Sequence, residues 1–160
     1  MLKIYKIRNK RNSVVLFISC CVFYACSGSS NAVTPAAMNA PDSTNIKIVL
    51  DLFSYFNKHD WQNYAALYAD SAKFLDPSFG TTEITQTRQQ TIQKYTELQK
   101  QIPDIMDEVK SVYAAGDNII TVEFVSHGSL PDKTSLNLPI CTVFKMENGK
   151  IISDHTYFDN

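Results

Sequence analysis

Residues 136–160 read LNLPICTVFKMENGKIISDHTYFDN, and this stretch decides the fold. Apolar and polar residues alternate over 136–146, the period of two that marks a strand with one covered face. Asn148 and Gly149 then supply a pair that tolerates the left-handed backbone of a tight hairpin turn. A second strand follows over 151–158. In it Ile152, Asp154, Thr156 and Phe158 share one side, and Ile151, Ser153, His155, Tyr157 and Asp159 the other. Only one set can face an interior, and a slip of one residue would exchange them.

Working upstream, the same alternation predicts strands over 106–113 and 119–129, joined through Gly116 and Asp117, so four strands form an antiparallel meander. Before Pro103 the period changes to that of helices. Ile46, Val49, Leu50, Phe53 and Phe56 recur at helical spacing behind Asp42 and Ser43, which can cap the helix. The turn Asn57, Lys58, His59 leads to Asp60, a second cap, and to a shorter helix carrying Trp61, Tyr64, Ala65 and Tyr68. A brief strand over 72–76 stops at Pro77, with Gly80 closing its loop. A long helix over 83–102 follows, with Ile84, Ile92, Tyr95, Leu98 and Ile102 on one side, and Pro103 ends it. Three helices followed by four long strands is the α+β order, with the helices on one face of a curved antiparallel sheet.

The first 25 residues have a different character. MLKIYKIRNKR is basic, residues 14–25 are apolar, and the stretch ends at the small residue Ala25, which is the three-part pattern of an export signal. The apolar part is shorter than the ~20 residues that a membrane-spanning helix needs. Phe23, Tyr24, Ala25 and Cys26 resemble the lipobox of bacterial lipoproteins, which implies acylation of Cys26 after cleavage; Cys20, behind Ile18 and Ser19, is a competing site, and ordinary signal cleavage or an uncleaved anchor are the alternatives. Cys20 and Cys21 leave with such a signal, so Cys141 is the one thiol left and no internal disulfide can form. Residues 26–43 are small and polar, with two prolines, and read as a tether from a lipid anchor to a domain over 44–160. The expected address is a bacterial membrane, with the outer membrane facing the periplasm preferred.

Beyond Cys26, ten basic residues stand against sixteen acidic ones, a net charge of −6 that argues against a nucleic-acid partner. The 44% hydrophobic content excludes whole-chain disorder. No spacing of His, Asp and Glu suggests a metal site, no Gly-rich loop suggests a phosphate, and no cofactor is implied.

YFNKHDWQNYAALYADSAKFLDPSFG, the ENGK turn and the closing HTYFD resemble a SnoaL-like domain of the nuclear transport factor 2-like superfamily over residues 46–160. The resemblance implies a cone, in which helices close over a bent sheet and leave an apolar pocket. Polyketide cyclases, ketosteroid isomerases, epoxide hydrolases and binding modules share that shape, so the fold does not choose among them. The cyclases' acid/base aspartate falls at Thr156, and their histidine at Thr142. Asp154 is the nearest inward carboxylate, with His155 pointing away.

Against the isomerases, Asp76 occupies the position of the general base, but Leu52 and Cys141 or Thr142 stand where oxyanion donors are required. Asp76 can equally serve its own Asp-Pro turn. His127 alternates with Glu123 and Val125 on the outer face, His59 sits in a turn, and Arg88 reads as a surface arginine. Aromatic residues suit a flat or greasy ligand. The expected site therefore has Asp76 and Asp154 as candidate catalytic groups, with Phe53, Tyr64, Phe74, Tyr95, Phe124, Thr142, Phe144, Thr156 and Phe158 as ligand contacts.

Three readings remain open: a lipid-anchored binder of a small apolar molecule, a cyclase- or isomerase-like enzyme, and a non-catalytic interaction module that docks a partner or, as a homodimer, itself through Thr121, Glu123, Val125, Cys141, Val143 and Lys145. Binding requires a cavity of several hundred cubic ångströms by general expectation.

Overall fold

The computed structural model describes residues 43–77 and 80–159; the signal, lipidation and tether expected before residue 43 lie outside them. Two helices, α1 (Ser43–Asn57) and α2 (Trp61–Ala66), form the expected hairpin. His59, with φ 54°, takes the left-handed turn between them, and the Asp60 side chain caps α2 through the backbone N–H of Asn63. Strands β1 (Tyr68–Leu75) and β2 (Ile84–Thr87) precede α3 (Arg88–Gln101). Four long strands then complete the chain: β3 (Met106–Ala115), β4 (Ile119–Ser129), β5 (Ser135–Glu147) and β6 (Lys150–Tyr157). They form one curved six-stranded sheet in the order β2-β1-β6-β5-β4-β3, with the helices on one side.

Three features depart from the sequence reading. Tyr68, expected on α2, opens β1 instead. The helix stops at Ala66 because Leu67 C=O accepts from Ile151 N–H at 3.0 Å, which draws the chain into the sheet beside β6. That β1–β6 pairing is parallel, so the sheet is not wholly antiparallel. The long helix also starts later than residue 83. Residues 84–87 pair with β1, and Thr87 opens α3 through a capping box with Gln90. The Thr-x-x-Gln signal for that start is present in the sequence.

The third departure concerns the face assignment in β6. On β5, Lys145 and Met146 are adjacent; opposite them Ser153 and Ile151 are separated by Ile152. Ile152 is thus a bulge that adds one residue to β6. Strict alternation places Ile151 and Asp154 on opposite faces; the bulge turns both inward. Ile151 is fully buried against the core, and Asp154 is buried three residues before the end of β6.

The space between helices and sheet is packed with rings. Trp61 stacks on Tyr95 and meets Phe56 edge-on, joining α1, α2 and α3, and its Nε1–H donates to Gln99 of α3. From the sheet side come Ile120, Val122 and Phe124 of β4 and Phe144 and Met146 of β5. On the opposite face lie Thr121, Glu123, Val125, Cys141, Val143 and Lys145, with the exposed apolar residues Met106, Tyr113 and Tyr157 in the same register.

Deleting Ile152 removes the extra residue, so either Ile151 or Asp154 must leave the interior. The expected loss is about 2–5 kcal/mol, the cost of emptying a large core position, whereas Ile152→Ala keeps the bulge and costs much less. Urea unfolding of the two variants distinguishes them; equal midpoints would show that the bulge does not set the register.

Candidate functional site

A small cavity of about 50 Å³ opens between α1 and the inner face of the sheet. Its walls are Leu52, Phe53 and Phe56 of α1, Tyr64 of α2 and Tyr95 of α3 on the helical side. Phe124, Thr142 and Phe144 line the sheet side, and three polar groups, Asp107, Asp154 and Thr156, complete it. The volume exceeds the ~30 Å³ share of one water molecule in the liquid but falls far short of the several hundred cubic ångströms expected for an apolar ligand. The shortfall is filled by aromatic side chains, whose volume the sequence pattern does not subtract. A larger groove of about 650 Å³ lies elsewhere, along Lys110, Glu123, Val125, Cys141 and Tyr157 of the outer face, and holds neither buried carboxylate. The chemistry belongs to the smaller space.

Asp154 enters the cavity from β6 and is held by hydroxyls. Tyr68 O–H donates to Oδ2 at 2.6 Å, and Thr156 O–H to Oδ1 at 3.2 Å. Thr156 also shares a 2.8 Å hydrogen bond with Thr142 across the strand pair. Tyr68 and Tyr64 hydroxyls lie 3.2 Å apart, and Tyr64 donates to Tyr95 at 3.0 Å, so a chain of phenols runs from the carboxyl group to α3. Burial raises the pKa of Asp154; the Tyr68 hydrogen bond, the Lys94 ammonium and the Thr156 hydrogen bond oppose that rise. Burial likewise holds all three tyrosines well above the ordinary phenol range. The phenols therefore remain donors.

Asp107 is a second buried carboxyl, which the sequence reading did not single out. It sits on β3 opposite Ser126 of β4, whose hydroxyl makes a short hydrogen bond to Oδ1. Its backbone is clamped by α1: Asn57 Nδ2 donates to Asp107 C=O at 2.8 Å, and Asp107 N–H donates to Asn57 Oδ1 at 2.7 Å. Burial pushes Asp107 up to about 7, with only the Ser126 hydrogen bond acting the other way. The alternation Ile105, Asp107, Val109 leading into β3 was the available signal, because an acid in the inward set of a strand is out of place.

Other anticipated residues are placed differently. Asp76 is not part of the cavity wall; it pairs with Lys94 of α3 at 2.8 Å, each side chain 16% exposed. The nearby charges more than offset the burial of Lys94, whose pKa is raised by Tyr95, Asp76 and Asp154. Phe74 packs on Tyr68 behind the cavity, and Phe158 borders the outer groove. The remaining anticipated contacts, Phe53, Tyr64, Tyr95, Phe124, Thr142, Phe144 and Thr156, are brought together around Asp154. His155 points away and meets Glu83 at 2.9 Å, and Arg88 bonds Tyr68 C=O and Asp70 at the sheet's rim. His127 lies against Glu108 on the outer face, while His59 bonds Ile105 C=O and Gln99 beneath Trp61.

Two raised carboxyls make folding pH-dependent. A carboxyl whose pKa is higher folded than unfolded favours the folded state below its unfolded pKa and loses that contribution as pH rises through the folded value. For Asp107 the loss runs from about pH 4 to about pH 7 and amounts to roughly 4 kcal/mol. Asp107→Asn should therefore gain stability relative to the parent between pH 4 and pH 8 in urea titrations. A difference that does not change with pH would contradict the burial of an ionisable group there.

Comparison with known proteins agrees with this architecture. No curated protein sequence matches the chain. Among solved structures, a Catenulispora acidiphila protein with a ketosteroid isomerase-like fold, in complex with trimethylamine, superposes with a TM-score of 0.63. The two are 21% identical over 71% of this chain and 85% of that one. SalBIII, an epoxide hydrolase/cyclase-like enzyme of pyran ring formation in salinomycin, gives 0.63 at 18% identity over 72% and 90%. A nuclear transport factor 2-like protein from Anabaena variabilis gives 0.65 at 17% over 77% and 96%. At these identities the likeness is one of fold. The sequence model of the SnoaL-like domain matches residues 49–153, and the chain belongs to that family.

Proposed function

We propose that the domain binds a small organic cation in the cavity between α1 and the sheet. The observation that carries this reading is the composition of the wall: aromatic rings of Phe53, Phe56, Tyr64, Tyr95, Phe124 and Phe144 surround two buried carboxyls, and no basic side chain lines the space. Ring faces attract a cation through their quadrupoles, and a desolvated carboxylate strengthens that attraction. An alkylammonium ion satisfies both, its alkyl groups meeting the rings and its charge the acids. The relative from Catenulispora acidiphila, solved in complex with trimethylamine, supports an amine as the ligand class. A polyketide or steroid nucleus is too large for about 50 Å³.

The isomerase-like reading loses support from the geometry, because its base, Asp76, is ion-paired with Lys94 outside the cavity wall. Enolisation requires a base beside the substrate carbon and donors at the oxygen.

The domain is further proposed to be exported and tethered by an acylated Cys26, a reading supported by the basic and apolar pattern before it. Intact mass of membrane-extracted protein should exceed that of Cys26→Ala by fatty acyl groups; equal masses after allowing for the substitution remove the anchor.

Calorimetric titration with trimethylammonium chloride, and with the uncharged tert-butanol as a shape-matched control, tests the ligand class. Saturable binding of the cation, at least about tenfold tighter than the alcohol, is expected. Equal affinities would return the site to an apolar ligand, and no binding of either would remove the reading.

A further inference from the structure

The two carboxyl groups in the cavity wall differ in what they have left to offer. Asp154 is engaged on both oxygens, by Tyr68 on Oδ2 and by Thr156 on Oδ1, and has the Lys94 ammonium within electrostatic reach. Its hydrogen-bonding is already met by the protein. Asp107 accepts from Ser126 on Oδ1, and among the described residues no donor bonds its Oδ2. The clamp from Asn57 acts on the Asp107 backbone alone, so it orients the residue without using the carboxyl oxygens. No positive side chain contributes to its titration.

From α1 Asp107 meets Asn57, and from β4 Ser126. The titratable groups sharing its cavity are Tyr64 of α2, Tyr95 of α3 and Asp154 of β6, none of them basic. A buried carboxyl in these surroundings resists ionisation, and a cationic ligand would supply the missing counter-charge.

We infer that Asp107 is the anchoring group for the ligand's positive head, and that it exchanges its carboxyl proton for the cation as the ligand binds. This rests on the cation-binding reading of the cavity. No covalent bond forms to the ligand: the Asp107 O–H breaks, the proton leaves to buffer, and the carboxylate pairs with the cation, donating no electrons beyond that contact. Ser126 is a positioning residue that holds one oxygen so that the other faces the cavity. Asp154 and its phenol chain form the opposite wall, fixed by their own hydrogen bonds. With Asp107 titrating at about 7, the exchange falls in the range where cells and periplasm operate, and ligand is held more tightly as the pH rises toward neutrality.

The test is calorimetry with trimethylammonium chloride in pairs of buffers of unlike ionisation enthalpy, across about pH 5 to pH 8. The parent protein is expected to release close to one proton per cation below neutrality. Its affinity should climb about tenfold between pH 5 and pH 6 and level off above pH 7 to 8. Asp107→Asn, which the burial of the acid predicts to fold at least as well as the parent near neutrality, should release no proton, bind at least about tenfold more weakly at pH 8 and show no pH slope. Ser126→Ala keeps the carboxyl but removes its one donor, so binding should persist with its pH midpoint moved upward. If the parent binds and Asp107→Asn matches it in affinity and proton release, the anchoring role is overturned while the ligand reading stands. If the parent does not bind the cation at any pH, both are overturned.

Discussion

One additional residue in β6 holds the interior together. The strand lies at the centre of the sheet, antiparallel to β5 on one side and parallel to β1 on the other. Without Ile152 as a bulge, its alternating side chains cannot give Ile151 to the core and Asp154 to the cavity at once. Both are buried, and each anchors a different part of the domain. Ile151 is fully buried in the core, beside Tyr68 of β1 and Met146 of β5. Asp154 collects the hydroxyls that join β1, β5 and, through the phenols, α2 and α3.

The cost of that arrangement is electrostatic. Removing a carboxyl from water is unfavourable unless donors replace the lost hydration. Around Asp154 the donors are supplied by Tyr68 and Thr156, with Lys94 nearby, and the network is satisfied within the protein. Around Asp107 only Ser126 is supplied, although the peptide on either side of it is tightly held by Asn57. A fold that clamps the backbone of a buried acid and leaves its charge uncompensated accepts a stability penalty that grows toward neutral pH. Such penalties are commonly located where a ligand is handled.

The aromatic residues act in two ways. Phe56, Trp61 and Tyr95 interlock the three helices edge-to-face and stacked, and Phe53 packs edge-on against Phe124 and Phe144 of the sheet. The same rings that stabilise the roof also occupy most of the cone and leave a cavity of about 50 Å³. The likeness to SalBIII is one of scaffold.

Much of this was legible in the sequence. The alternation over 136–146, the Asn148-Gly149 turn and the helical spacing of Val49, Phe53 and Phe56 determined two classes of element in the right order, because local periodicity reflects which face is covered. They also brought seven of the expected contacts to one place around Asp154. Local pattern could not place Tyr68, whose helical spacing lost to pairing with β6, nor reveal the bulge at Ile152. Those outcomes depend on partners distant in the chain: Ile151 drawing Leu67 into the sheet, and Met146 and Lys145 setting the register. Tertiary contact alone decides how much space survives inside, because side-chain volumes from separate elements compete for the same few cubic ångströms.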